Sequence, residues 1–285
     1  MAKEEQIYYL RLFILSFVTI LLAVPIMLML LWPEAEGNLL YLRLMAGYPI
    51  ALALIGLGMR RSGWKRLSDL SGRIDKTLFA VILAALFAIS AISSIGNGGV
   101  TVNENSTSSI AFSFLISILL IPLQCYAEEL IFRILPQRIA LSRAFGSPVR
   151  DKVAVTIISS AFFALLHLPN SEAKLFDSMA ISFIYYFVSA AYLNLLSFIE
   201  KGYTSPIAYH TANNLFIAVV INRKEASTIP SEPFFFFTGN FDTFNSIISL
   251  VWAMIVITAV VAIYSRRQSR RAEIGKEEQK EEENT

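Results

Sequence analysis

The sequence predicts an all-α membrane protein, a polytopic bundle of about eight transmembrane helices with both termini on the cytoplasmic side. Three observations carry this. Apolar residues make up 55% of the 285-residue chain and charged residues only 16%, with a mean hydropathy of +0.57, more apolar surface than a soluble domain of this length needs. The apolar residues fall in runs of about 20, the length that spans a bilayer. The basic residues cluster between those runs.

The runs lie near Tyr8–Trp32, Leu39–Met59, Thr77–Ile95, Ile110–Leu135, Val153–Leu168, Leu175–Phe198, Ile207–Ile221 and Thr243–Tyr264. The first is too long for a signal-peptide core and lacks a small-residue cleavage site after it, which makes it a retained helix. Pro25 and Pro122 fall within runs, where neighbouring helices tolerate proline at the expense of a bend. The fifth and seventh runs are short. The second connection carries Arg60, Arg61, Lys65, Arg66, Arg73 and Lys76. The fourth carries Arg138, Arg143, Arg150 and Lys152, and the tail carries Arg266, Arg267, Arg270 and Arg271. With eight spans these fall on one side, cytoplasmic by the positive-inside rule; Arg223 and Lys224 on the opposite side are a mild exception. The membrane domain is expected over 1–265. Residues 266–285, ending in GKEEQKEEENT, are expected to form a disordered cytoplasmic tail.

Other classes are disfavoured. A formal charge of +2 gives no nucleic-acid signature, and the single cysteine, Cys125, provides neither a disulfide framework nor a zinc-thiolate cluster. The sequon at Asn105 is a triplet common by chance.

Chemistry concentrates in three of the runs. Both histidines of the chain, His167 and His210, sit in apolar stretches, and a third stretch carries Glu128, Glu129 and Arg133. Ionisable groups at membrane depth cost roughly 2.5–3.5 kcal/mol each on insertion scales and by default mark function. Neighbouring Glu128 and Glu129 point about 100° apart on a helix and are expected to serve different partners. Glu129 and Arg133, at i and i+4, fit an ion pair. That leaves Glu128 free as a general base. Measured from the expected cytoplasmic boundaries at 1.5 Å per residue, Glu128 lies about 15 Å deep, His167 about 21 Å and His210 about 13 Å, a band about 8 Å wide. Asn214 shares a helical face with His210, giving two donors for an oxyanion, and Phe163 can wall His167. Each feature alone has a bland alternative: a structural Glu–Arg clamp, a satisfied packing histidine, an asparagine bonding between helices, a cysteine that merely lines the core.

Read as EExxxR (Glu128 to Arg133), FxxxH (Phe163 to His167) and HxxxN (His210 to Asn214), in that order on successive helices, the chain resembles the CPBP family of intramembrane proteases, the CAAX-processing and bacteriocin-processing group. The resemblance runs from about Glu128 to Asn214. It implies an endopeptidase acting within the membrane on a membrane-associated protein or peptide. Glu128 would activate the attacking water, His167 position it, His210 and Asn214 stabilise the oxyanion, and Glu129 and Arg133 brace the site. A metal-free, glutamate-based hydrolysis is favoured. The alternative is a Zn2+ held by Glu128, His167 and His210, with a water position left open. Two further readings stay open: a non-catalytic interaction or immunity scaffold that kept the fold, and a proton-coupled transporter, against which no inverted repeat is evident. Short loops and few cysteines favour a prokaryotic plasma membrane.

Overall fold

The computed structural model describes residues 2–61, 66–96, 99–142, 148–223 and 226–283. Lys65, Arg143 and Lys224, counted above as loop charges, lie outside the described residues. The chain is a helix bundle built in the order α1 (Ala2–Val18), α2 (Val24–Leu31), α3 (Gly37–Arg61), α4 (Leu67–Ser71), α5 (Lys76–Gly96), α6 (Thr107–Glu129), α7 (Leu135–Ser142), α8 (Pro148–His167), α9 (Met179–Glu200), α10 (Thr204–Leu215) and α11 (Thr243–Glu283). Single π turns at Thr19–Ala23 and Leu130–Ile134 join α1 to α2 and α6 to α7, and a third, Phe216–Val220, extends α10.

Among the described residues, six helices are long and apolar enough to cross a membrane: Glu4–Leu31, Gly37–Arg61, Lys76–Ser94, Thr107–Ser142, Met179–Glu200 and Thr243–Gln268. The two short runs of the sequence, now α8 and α10, fall outside that set. The first five residues of α8 include Arg150, Asp151 and Lys152, and α10 has only 12 residues before its π turn. The outer faces of the long helices present large apolar side chains, such as Leu30 at 77% and Trp252 at 60% exposure, as a lipid-facing surface does.

Polar contacts gather the connections at two ends. At one end Asn38 donates to the Ser109 carbonyl at 2.9 Å, Thr228 Oγ1 receives the Ser171 N–H at 3.2 Å, and Thr243 Oγ1 receives that of Asp177 at 3.4 Å. At the other, Thr204 Oγ1 receives the Asp75 N–H at 3.2 Å, and Arg138 donates to the Leu70 carbonyl at 2.8 Å.

Two features depart from the expected fold. The bundle is not purely helical: β1 (Val100–Val102), β2 (Ile221–Asn222) and β3 (Phe235–Phe237) form a small sheet in the order β1-β3-β2, antiparallel then parallel. Three-residue runs leave no readable period in sequence, yet backbone groups near an apolar boundary need partners, and pairing supplies them. Gly99 makes the sheet's corner possible. It has φ +70°, and a Cβ there would meet the Gly239 nitrogen at 2.6 Å. The charged tail expected to be disordered continues α11 as helix to Glu283, in line with the high helix propensity of its Glu, Lys, Gln and Arg residues.

Caps fix the helices that carry the site. Ser106 Oγ accepts from the Ser109 N–H at the start of α6, and Ser178 Oγ from that of Ile181 at the start of α9. The Glu200 carboxylate accepts the Thr204 and Ser205 N–H groups at 3.1 and 2.6 Å, placing a negative charge at the positive end of α10. Small residues Ala208 and Ala212, both 0% exposed, let α10 approach its neighbours closely. Three apolar clusters enclose the interior. One is centred on Leu130–Leu135 and Phe163, one joins α5, α9 and α11 around Leu196 and Ile257, and one holds Tyr41, Cys125 and Leu215.

Asp75 caps α5 by accepting the Thr77 and Leu78 N–H groups at 2.9 and 3.1 Å, and it also receives the Tyr264 hydroxyl at 2.7 Å. That hydroxyl, and then the Leu78 N–H, hold its carboxyl below the ordinary value. This stabilisation is therefore present above the usual carboxylate range and is lost as pH falls through the lowered pKa. Replacing the cap, Asp75→Ala, should destabilise the protein by about 1 kcal/mol. The loss, read from thermal melts in detergent, should be seen at pH 7 and shrink under strongly acidic conditions.

Candidate active site

The site forms where the three apolar clusters meet, from α6 and its π turn, α8 and α10. Glu128 and Glu129 end α6. They are 8% and 0% exposed, Arg133 in the π turn is 1%, and His210 on α10 is 8%. The π turn begins at the residue after Glu129. Such turns add about one residue per turn and recur at functional sites.

Glu129 is the hub. Its Oε1 receives Arg133 Nη1–H at 2.9 Å and lies 2.8 Å from His210 Nδ1. With Nδ1–H donated to Glu129, the tautomer of His210 is set and Nε2 is directed the other way. There it faces Glu128 Oε2 at 3.6 Å, beyond a direct hydrogen bond. This corrects the expectation that the two acids serve different partners. One imidazole offers two nitrogens on opposite sides of its ring, so residues about 100° apart on α6 both reach it.

Glu128 is also less free than its spacing implied. Its Oε1 accepts from the side-chain amide of Gln124, one turn earlier, and from the Tyr48 hydroxyl of α3 at 3.4 Å. Its Oε2 is buried with no hydrogen-bond partner among the described residues. One oxygen is thus anchored and the other faces the imidazole. Gln124 Oε1 in turn receives the Asn214 amide at 3.1 Å and the Cys125 thiol at 3.2 Å, so Asn214 is tied to the Glu128 side of the site.

Phe163 is the common wall. Its ring stacks on His167 at 3.9 Å between centroids and 23° between planes, meets His210 edge-on at 6.3 Å, and carries the Arg133 guanidinium 4.5 Å above its face. His167 Nδ1 lies 2.8 Å from the Phe163 carbonyl and its ring lies beside Tyr186 at 5.2 Å. His167 thus joins the cluster through ring contacts, and its Nε2 is left for other partners.

The seven positions singled out in sequence therefore come together, and two more join them. Gln124 was readable in principle, as a polar side chain four residues before Glu128 on the same face. Tyr48 was not, because nothing in α3 signals a partner 80 residues away. As for a metal, among the described residues no three His, Cys, Asp or Glu side chains are disposed to hold an ion. Nδ1 of each histidine is engaged, on Glu129 and on the Phe163 carbonyl, and Nε2 is the nitrogen that each has left. As placed here, Glu128, His167 and His210 do not form the two-histidine, one-carboxylate zinc set.

A many-helix membrane protein with a buried carboxylate–imidazole–guanidinium cluster is the class these features define. Residues 107–216 match the family model described as Type II CAAX prenyl endopeptidase Rce1-like. The matched segment starts with α6 and ends just after α10, taking in every motif position, and the family it identifies agrees with the resemblance read from the sequence. No curated protein and no solved structure matches the chain.

Removing one partner of a buried ion pair leaves an uncompensated charge, at a cost of about 3–5 kcal/mol. Glu129→Gln should therefore lower thermal stability far more than Glu128→Gln, since only Glu129 bonds Arg133. Equal melting losses for the two variants would contradict this division.

Proposed function

We propose that the protein is an intramembrane endopeptidase that cleaves a membrane-associated protein or peptide with a water activated by Glu128. The observation that carries this is the pair of atoms left available on Glu128 and His210, Oε2 and Nε2, 3.6 Å apart with each residue held from behind. When His210 carries a second proton, on Nε2, the charges of Glu128, Glu129, Arg133 and His210 sum to zero, which suits a site inside a membrane. In that state Glu128 can accept a proton while His210 can donate one.

The steps follow. A water bound at Glu128 Oε2, positioned with the help of His167, attacks the scissile carbonyl carbon as its proton passes to Glu128. The carbonyl oxygen becomes an oxyanion, met by His210 Nε2–H and by the Asn214 N–H not given to Gln124. The proton on Glu128 is then delivered to the leaving amide nitrogen as the C–N bond breaks. Gln124 and Tyr48 hold Glu128 in register throughout. The match to CAAX prenyl endopeptidases supports a substrate bearing its cleavage site close to the membrane; peptide maturation is the other class the motif allows.

Glu128→Gln should abolish hydrolysis with a near-normal folded yield. Comparing proteomes of membranes containing wild-type protein or this variant should reveal a peptide released only by the former. On that substrate, Asn214→Ala should lower kcat by roughly 10²–10³ with little change in KM, and chelators should leave the wild type active. Zinc-dependent recovery after chelation would overturn the metal-free mechanism while leaving the peptidase reading intact.

The same reading includes α8 and α10 as the fifth and seventh of eight spans, with both termini and all three basic regions cytoplasmic. In a Cys125→Ser background, an impermeant thiol reagent should label Ser68→Cys only from the cytoplasmic side and Glu104→Cys only from the opposite side. Labelling of both from one face would remove the eight-span topology.

A further inference from the structure

At the basic end the bundle forms a half-open cavity of about 450 Å3, lined by parts of α1, α7, α8, the end of α9 and the α9–α10 connection. Three cations, Arg138, Lys152 and Lys201, line it against a single acid, Glu5. Glu5 is engaged by the Tyr9 hydroxyl at 3.2 Å. Among the described residues none of these three cations lies within ion-pair distance of a carboxylate. Lys152 instead sits 5.2 Å from the centre of the Phe198 ring. A buried nitrogen of Arg138, Nε, has no hydrogen-bond partner. The cavity thus holds more positive charge than its own walls answer.

Lys201 adds a second, independent observation. It ends α9 at φ 59°, the one non-glycine among the described residues with positive φ. That conformation favours glycine, and a glycine stands one position later, at 202. A lysine kept in a strained position on the rim of a cationic cavity points to a role for its ammonium group.

Location selects the ligand. Lys152 is flanked on α8 by Val149 and Val153, which are 70% and 53% exposed on the apolar outer surface. A molecule whose anionic head fills the cavity can therefore lay a hydrocarbon tail along α8. Basic pockets between membrane helices at the cytoplasmic boundary suit phosphate-bearing headgroups, and Arg and Lys together provide forked and point-charge donors for phosphate oxygens. We propose that this cavity binds the phosphate headgroup of an anionic phospholipid, a site separate from the Glu128 cluster and independent of its chemistry.

The test uses the full chain purified in detergent. Phosphatidylglycerol, phosphatidylcholine and inorganic phosphate are titrated separately, with bound lipid read by native mass spectrometry and stability by thermal melting. Phosphatidylglycerol should bind and raise the melting temperature, and the other two should not. The double variant Lys152→Ala, Lys201→Gly should bind phosphatidylglycerol about tenfold or more weakly, the order expected when two basic groups near a membrane surface are lost. Lys201→Gly also relieves the backbone, so the unliganded variant should melt near the wild type. Removing two exposed charges elsewhere, Arg266→Ala and Arg270→Ala, should leave binding unchanged. Equal losses in both double variants, or undiminished binding in the cavity variant, would overturn the proposal. A shift reproduced by inorganic phosphate would reassign the cavity to a soluble anion.

Discussion

The arrangement of the centre rests on one oxygen atom. Glu129 Oε1 accepts from Arg133 and from His210 at once, and it thereby joins α6, its π turn and α10 through charge-assisted bonds in a region of low dielectric. Such bonds are worth more there than in water, and an unpaired member costs more. The surroundings can be read as accommodating that atom. Ala208 and Ala212 bring α10 close enough, Phe163 covers the guanidinium face, and the Glu200 cap holds the start of α10 in place. A carboxylate that binds a guanidinium cannot easily serve as a base as well. The division of labour between two adjacent glutamates follows from what each one touches.

Much of the fold was legible because membrane insertion imposes a coarse code. Backbone groups must be satisfied within a segment, so apolar runs of bilayer length become helices, and the six long ones lie where the hydropathy placed them. The code says less about short segments. Neither α8 nor α10 satisfies it fully: α8 begins with charged residues, and α10, an interior helix that needs no uniformly apolar surface, is polar at His210, Thr211, Asn213 and Asn214. The strands at Val100–Val102 and Phe235–Phe237 were invisible because their pairing is decided by residues 133 to 137 positions apart.

The site divides along the same line. Contacts within one helix, Glu129 with Arg133 and Phe163 with His167, follow from four-residue spacing and could be written down from the sequence. Contacts between helices could not. That both glutamates address a single imidazole depends on where α10 docks, and the Tyr48 contact depends on how α3 lies against α6. Gln124 falls between the two cases. Its spacing from Glu128 is local, but a glutamine among apolar residues announces a partner without naming it, and the Glu129–Arg133 spacing leaves Glu128 unattached.

Both imidazoles of the chain pack against Phe163, one on its face and one at its edge. Since the sequence contains two histidines in all, isotope labelling of histidine would place every reporter nucleus inside the cluster. The ring nitrogens would give a spectrum of two spin systems, both shifted by the same aromatic current. Such a spectrum would read out tautomer and protonation at the centre of a membrane protein with no background to subtract.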